Sequence, residues 1–323
     1  MCAVAVNPLR PVILAAADSP RLKQAITGTK ITADIVRRFV AGERRADLLP
    51  VVGELLADRR LISVDFLGEN TTDRAQAEAT VTEYLALIQD LAGAPRPELP
   101  GLGAAAVEVS VKLSALGQAL PADGPAIATA NLRTLCAKAD EAGVWVTVDA
   151  EDHTTTDATL ATVRELRPEF PWLGAVLQAY LHRTEADCAE LSGHGSRIRL
   201  CKGAYREPRE VAFQRGGEVT DSYLRCLELL MRGEGYPMVA THDPVLILAA
   251  EQLVAETGRD IGNYEHQMLY GIREAEQRRL AGAGIATRVY VPYGSQWYGY
   301  LTRRLAERPA NLGFFLRALV SKS

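Results

Sequence analysis

Eight short runs of strand character recur along the chain: LISVDFL (61–67), AVEVSVKL (106–113), VWVTVD (144–149), LGAVLQA (173–179), RIRLCK (197–202), MVATHD (238–243), YEHQML (264–269) and RVYVPY (288–293). Segments of helical period lie between them, RAQAEATVTEYLALIQDLAG and ILAAEQLVAETG among them. Strands that alternate with helices pair in parallel, because a parallel neighbour can be reached only through a long crossover. Eight such units in about 260 residues have the size of a closed (β/α)8 barrel of the TIM type. A doubly wound sheet also alternates, but eight evenly repeated units favour closure. Residues 19–60 read as helical, with TADIVRRFVAGE the clearest amphipathic piece. The expected organisation is an N-terminal helical segment, 1–60, packed on a barrel domain, 61–323.

Alternation within the runs supports closure. Val107, Val109 and Val111 share one face of their run, and Glu108, Ser110 and Lys112 share the other. Val144, Val146 and Val148 alternate in the same way with Trp145, Thr147 and Asp149, and Val289 and Val291 alternate with Arg288 and Tyr290. Valines suit the face covered by helices, so the polar set points into the barrel. A purely structural interior is filled by branched apolar side chains, and a polar one needs a reason. Lys112, Asp149, Gln178, Lys202, His242 and Tyr290 fall at the carboxyl ends of their runs, the end at which barrels carry their active sites.

The segment YGYLTRRLAERP (298–309) follows the eighth run directly. At helical spacing Tyr300, Arg303, Arg304 and Glu307 form one polar stripe. Gly294 and Ser295 make the turn, with Ser295 as the expected N-cap. The helix then starts over the barrel mouth, and its paired guanidiniums with Lys112 make a cationic pocket. Its natural ligand is a carboxylate or phosphate, since arginine bonds either one through a planar fork.

Other classes are poorly served. A net charge of −4 makes no electrostatic case for nucleic acid. No apolar run reaches spanning length, and Pro8 and Pro11 interrupt the one apolar patch near the start, so no signal peptide is expected. The five cysteines form no CxxC pair, which suits a reducing cytoplasm without structural zinc. Asp149, Glu151, Asp152 and His153 resemble a metal set in composition, but they alternate faces and cannot all converge on one ion; no metal is expected. GLGAAA (101–106) precedes a strand instead of following one, so it is no dinucleotide fingerprint. Taken singly, Lys112 with Asp149 also fits a plain buried ion pair, and His242 a satisfied core histidine.

VSVKLSAL (109–116), VDAED (148–152), LQAY (177–180), RLCKGAY (199–205), ATHD (240–243), YEHQMLYG (264–271) and the stretch from RVYVPYG to YGYLTRRLAERPAN (288–311) occur in order along nearly the whole chain. In these pieces the sequence resembles the monofunctional bacterial proline dehydrogenases. The resemblance implies a distorted (β/α)8 barrel, non-covalent FAD, and oxidation of L-proline to Δ1-pyrroline-5-carboxylate. It further implies hydride transfer from proline C5 to flavin N5, with electrons passed to a membrane quinone. A cytoplasmic protein is expected, with a peripheral place at the inner face of the cell membrane and a separate pyrroline-5-carboxylate dehydrogenase as a partner.

Carried over by position, Arg303 and Arg304 look like the clamp on the proline carboxylate, helped by Lys112 and braced by Glu307. Tyr290 and Tyr300 look like walls around the ring. Asp149 would balance and orient Lys112, and Arg199 would lie near flavin N5. Ala150 and Gln178 would border the flavin ring. Lys202, Gly203, Ala204, Thr241 and His242 would hold its ribityl and pyrophosphate part, with Tyr205 near both ligands. Arg206 departs from the aromatic that several relatives carry, and Cys201 from their valine. Two other classes remain open at this level: a Schiff-base aldolase using Lys112 or Lys202, and a non-catalytic binder of a carboxylate ligand.

Overall fold

A computed structural model describes residues 36–301 apart from positions 70, 98 and 100. Among them, eight strands close into a parallel barrel in chain order. They are β1 (Leu61–Phe66), β2 (Val107–Val111), β3 (Trp145–Val148), β4 (Gly174–Gln178), β5 (Arg197–Cys201), β6 (Tyr236–Ala240), β7 (Glu265–Leu269) and β8 (Thr287–Tyr293). Each expected run supplies one strand. β8 closes on β1 from Leu61↔Arg288 to Phe66↔Tyr293.

Helices α1 (Arg45–Ala57), α2 (Arg74–Ala92), α3 (Gly124–Glu141), α4 (Thr156–Leu166), α5 (Thr184–Glu190), α6 (Gly216–Arg232), α7 (Pro244–Thr257) and α8 (Glu274–Gly282) surround it. Their starts follow local chemistry. Asp73 accepts from Ala75 N at 2.8 Å to cap α2, and Asp243 accepts from Val245 N at 3.0 Å to cap α7, where Pro244 has no N–H in need of an acceptor. The outward strand residues pack beneath the helices: Val64, Val107, Val109, Val146, Val148, Ile198, Val239, Val289 and Val291 belong to one core with Leu48, Leu87, Leu132, Leu160 and Leu227.

The barrel departs from regularity where it closes. α1 packs on β1 and β8, the slot that a regular barrel gives to the helix after its last strand. The chain beyond β8 turns instead at Gly294 (φ +119°), and residues 297–301 form helix packed on Val36, Phe39, Val40 and Leu67. Gly294 N donates to Gly42 O at 2.9 Å, and Trp297 Nε1 to Glu43 Oε1 at 2.9 Å. These bonds extend the turn. The helix starts at 297, so Gln296 and not Ser295 stands in front of it. Of the segment expected to be helical from 19 to 60, residues 36–39 and α1 are helical, and the part before 36 lies outside the described residues.

The interior is polar nearly throughout. At its floor Arg288 spends all five N–H groups: Nε and Nη2 bond Glu265 at 2.6 and 2.9 Å, Nη1 bonds Ile62 O and Ala106 O at 2.8 and 3.4 Å, and Nη2 bonds Ala105 O at 2.8 Å. Arg197 lies over the Trp145 ring, 4.5 Å from its centroid, and bonds Glu108 at 2.6 Å.

On the outer side of β7, His266 is fully buried, with Tyr264 edge-on at 5.7 Å and neither ring nitrogen hydrogen-bonded. Burial is the main cause that drives its pKa down from 6.5 to about 4. The folded protein therefore holds the ring neutral while the unfolded chain protonates it below 6.5. The resulting stability is complete above pH 6.5 and is lost as pH falls toward 4. Between pH 7 and pH 5 this amounts to about 2 kcal/mol. His266→Leu removes the titration and the orphaned N–H, so urea unfolding at the two pH values should show a smaller acid loss than the unmodified chain. Equal acid losses in both proteins would refute the assignment.

Candidate active site

The mouth is built on the alternation already seen. One step above Ser63, Ser110 and Thr147, the inward positions of β1, β2 and β3 or their extensions carry Asp65, Lys112 and Asp149. Lys112 Nζ lies 2.9 Å from both carboxylate oxygens of Asp65 and 3.6 Å from Asp149 Oδ2. Asp149 has shorter bonds elsewhere: Arg199 Nη1 donates to Oδ1 at 2.6 Å and the Tyr290 hydroxyl to Oδ2 at 2.7 Å. The lysine's principal partner is therefore Asp65, with Asp149, the residue expected to balance it, as the more distant second carboxylate. The reason is register: β1 sets Asp65 beside Ser110, one step from Lys112, while β5 and β8 reach Asp149 from across the barrel.

Arg199 is the hub of the interior. Nε donates to Gln267 at 2.5 Å, Nη1 to Ser110 Oγ at 3.0 Å and to Asp149, and Nη2 to Ser63 Oγ at 3.2 Å and Glu108 at 2.8 Å. All five N–H groups are engaged, and the guanidinium sits 5.5 Å from the Tyr290 ring centroid. Burial pushes the Glu108 carboxyl up, but Arg288, Arg197 and Arg199 outweigh it and hold it well below the ordinary carboxylate range. Burial likewise works against the Lys112 ammonium, yet Asp65, Asp149 and Glu69 outweigh it and keep its pKa above the ordinary lysine value.

The loops around the mouth are tied to one another. Glu151, raised in pKa chiefly by burial, accepts from Ser114 N at 3.1 Å and from the Ser114 hydroxyl. Gln178 Nε2 donates to Glu151 O at 3.1 Å, while Gln178 Oε1 is buried with no donor. Ala150 lies half-buried between Asp149 and Glu151. Glu207 joins three loops: it accepts from His153 N at 2.9 Å, pairs with His153 Nδ1, and accepts from the Tyr180 hydroxyl at 3.2 Å. Gly203 (φ +97°) lies on the Tyr180 ring, where a Cβ would overlap it. The glycine is thus required by the ring and the backbone angle, whatever binds above. Ala204 and Tyr205 follow, half-buried.

Lys202 bonds Asp243 at 2.8 Å and Thr220 Oγ1 at 3.2 Å. Thr241 Oγ1 accepts from Asp243 N at 3.1 Å, and His242 Nε2 from Leu269 N at 2.9 Å. Tyr300 is buried in the apolar cluster with Phe39, Val40 and Trp297. Arg303, Arg304 and Glu307 lie outside the described residues. Thus Lys112, Asp149, Arg199 and Tyr290 form one connected set, Lys202 and Thr241 meet through Asp243, and Gln178 stands between. Asp65, Gln267, Tyr180 and Glu207 were missed by the sequence argument, and Glu108 was placed on the inward face without a role. For Asp65 the signal was present, since it alternates with Ser63 as Lys112 does with Ser110.

The residues fit a bound flavin in two respects. Gln178 offers an unused buried acceptor, which the ring N–H of a flavin would satisfy. Lys202 and the positive-φ turn at Gly203 offer a cation and turned backbone to a phosphate, the start of α7 being already capped by Asp243.

The charged side chains converge at the carboxyl ends of the strands, the end at which barrel enzymes bind their ligands. The family model described as proline dehydrogenase matches residues 51–317. Proline dehydrogenase 1 of Bacillus subtilis (strain 168) is 37% identical over 297 residues, 91% of this chain and 93% of that protein. Proline dehydrogenase of Deinococcus radiodurans is 35% identical over 315 residues, 96% of this chain and 97% of its own. Among solved structures, proline utilization A from Bdellovibrio bacteriovorus, inactivated by N-propargylglycine, superposes with a TM-score of 0.78 at 25% identity. That match covers 92% of this chain and 36% of the longer protein. The chain belongs to the proline dehydrogenase family, and its reaction is oxidation of proline at the CH–NH group.

Gly203→Ala tests the loop geometry. The new methyl meets both an unfavourable φ and the Tyr180 ring, so a loss of about 2–4 kcal/mol is expected. Thermal unfolding should register it, with faster proteolysis within 202–213; an unchanged melting temperature would contradict the packing described.

Proposed function

We propose that the chain binds FAD non-covalently at the carboxyl ends of β4, β5 and β6, oxidises L-proline to Δ1-pyrroline-5-carboxylate beside it, and passes the electrons to a membrane quinone. The observation that carries this is the buried, donorless Gln178 Oε1 facing a mouth lined by Lys112, Asp149, Arg199 and Tyr290. When bound, the flavin supplies the hydride acceptor that no protein side chain provides.

The chain's own residues then have distinct tasks. Lys112, with Arg303 and Arg304, holds the substrate carboxylate, so that binding energy far from the reacting carbon fixes its orientation. Tyr290 is set by its bond to Asp149, and with Tyr300 it confines the ring. Arg199 holds positive charge at the base of the mouth. Ala150 and Gln178 border the flavin ring, while Lys202, Gly203, Ala204, Tyr205, Thr241 and His242 hold the remainder of the cofactor. Asp149 acts by fixing Arg199 and Tyr290. A separate pyrroline-5-carboxylate dehydrogenase would take the product. The likeness to proline utilization A supports no more than that suggestion. Among the described residues no helix is long and apolar enough to cross a membrane. Access to a membrane quinone would be peripheral, from the cytoplasmic side. A Schiff-base mechanism is disfavoured, because both lysines it would use are held in ion pairs, Lys112 by Asp65 and Lys202 by Asp243.

A visible spectrum of the purified protein tests the proposal. It should show an oxidised flavin that bleaches on adding L-proline and is released by acid precipitation. Colourless protein that cannot be reconstituted with FAD would sink it.

The arginine pair gives a second test. Arg303→Ala and Arg304→Ala should each cost on the order of 2–5 kcal/mol in kcat/KM, the range for truncating one partner of a buried charge pair. Lysine should rescue neither fully, for want of the planar fork. Flavin content should hold, since the clamp meets substrate alone. A change below about threefold in either variant would make the pair a solvated helix face.

A further inference from the structure

β1 contributes one carboxylate to the mouth. Asp65 is about 1% exposed; Lys112 Nζ lies 2.9 Å from both of its carboxylate oxygens, and the Tyr290 hydroxyl is a further hydrogen-bonding neighbour. The other carboxylate near that lysine, Asp149, lies at 3.6 Å and is already engaged by Arg199 and Tyr290. We propose that Asp65 is a positioning residue of the proline site: it fixes Lys112 as a standing ammonium, so that Lys112 acts as a charge toward the substrate carboxylate and not as the base that takes the amine proton. The inference rests on the reading of Lys112 as a substrate-binding residue.

The geometry favours the ion pair over its neutral alternatives. A neutral lysine would leave the ionised Asp65 buried without a cationic partner, with the neutral Tyr290 hydroxyl in its place. A protonated Asp65 would have one hydrogen to share and would not hold the ammonium symmetrically from both oxygens. The groups facing Lys112 from the elements around it are Asp65 on β1, Glu69 after β1, and Asp149 and Glu151 after β3. Arg199 on β5 is neutralised by Asp149 and Glu108, and Tyr290 on β8 donates its hydroxyl to Asp149 and also neighbours Asp65. The two partners pull differently. Burial, with Asp149, raises the Asp65 carboxyl against the pull of Lys112, while the carboxylates raise Lys112 against burial. The paired 2.9 Å contacts decide for the charged form. Without Asp65, burial of Lys112 would be opposed mainly by Asp149, whose oxygens are shared, and by Glu69. The ammonium would then become able to lose its proton in the alkaline range.

The probe is tetrahydrofuran-2-carboxylate, which keeps the ring and carboxylate of proline but has no amine to titrate. Its binding is followed through the flavin absorbance of the holoenzyme from pH 7 to pH 10. The unmodified protein should bind it with nearly constant Kd. Asp65→Asn should retain flavin and match it near pH 7 within a few-fold, then weaken at least tenfold further by pH 10. Asp65→Glu should restore the flat profile. A merely structural role would lower the melting temperature and leave the pH dependence parallel to that of the unmodified protein, and that result would overturn the proposal. Lys112→Met supplies the arm that needs no folded Asp65 variant. Its kcat/KM for L-proline should be low yet keep the acid limb of the pH profile; loss of that limb would make Lys112 the base and overturn the proposal. Binding of the probe to Lys112→Met with unchanged Kd would overturn the reading of Lys112 itself. Weakened binding there with a flat Asp65→Asn profile would overturn the Asp65 role alone.

Discussion

The structure depends on charge neutrality inside a dry barrel. Arg197, Arg199, Arg288 and Lys112 face Glu108, Glu265, Asp65 and Asp149, and every one of the eight is buried. An isolated buried charge is far too costly to keep, so each must find an opposite charge and spend its remaining donors or acceptors. Arg199 and Arg288 do this completely, with five N–H groups each engaged. Such an arrangement adds less to stability than its bond count suggests, because the ions were well solvated before folding. What it supplies is discrimination. A one-residue slip between strands would turn the inward charges outward into the apolar layer beneath the helices and leave their partners unpaired.

That constraint grades the interior from floor to mouth. At the floor, Arg288 bonds backbone carbonyls and Glu265, which ties β8 to β7, β1 and the loop before β2. One level up, Glu108 divides its oxygens between Arg197 and Arg199 and also accepts from Ser63. At the mouth the same chain of pairs ends in Asp149, Tyr290, Lys112 and Asp65. The side chains at the mouth are therefore held by partners that are themselves held. A site meant to orient a small substrate to within a fraction of an ångström needs such support.

Much of this was legible in the sequence, for a simple reason. Period-two alternation of valine with Glu, Ser, Lys, Asp and Tyr survives in a barrel because one face meets helices and the other meets the interior. The strands, their inward faces and the mouth positions of Lys112, Asp149, Gln178 and Tyr290 follow from it. Partner choice does not. Whether Lys112 turns to Asp65 or to Asp149 is decided by the register of β1 on β2 and by Arg199 arriving from β5, and neither distance is encoded locally. Gly203 shows the same limit. A glycine in KGAY suggests close approach to a phosphate, but the ring beneath it, Tyr180, comes from another loop. The late start of the helix after β8 also has a distant cause, the bonds from Gly294 and Trp297 to residues 42 and 43.

The sharing of single carboxylates has a consequence for any dissection of the site. Glu108 serves two arginines, and Asp149 serves Arg199, Tyr290 and, more distantly, Lys112. Removing one member leaves the others with surplus charge in a medium that screens poorly. They must then move, recruit water or change protonation. Effects of substitution along this chain will therefore fail to add, and the deviation should be largest between residues that share an oxygen. Arg199 is the extreme case. With no free N–H, it cannot form a bond to anything newly bound without breaking one it has. What it can present to the mouth is then a fixed charge, whose strength is set by Glu108 and Asp149 together. In this interior the pairs that satisfy the fold and those that set the field at the mouth are the same atoms, and stability and reactivity are tuned through one set of bonds.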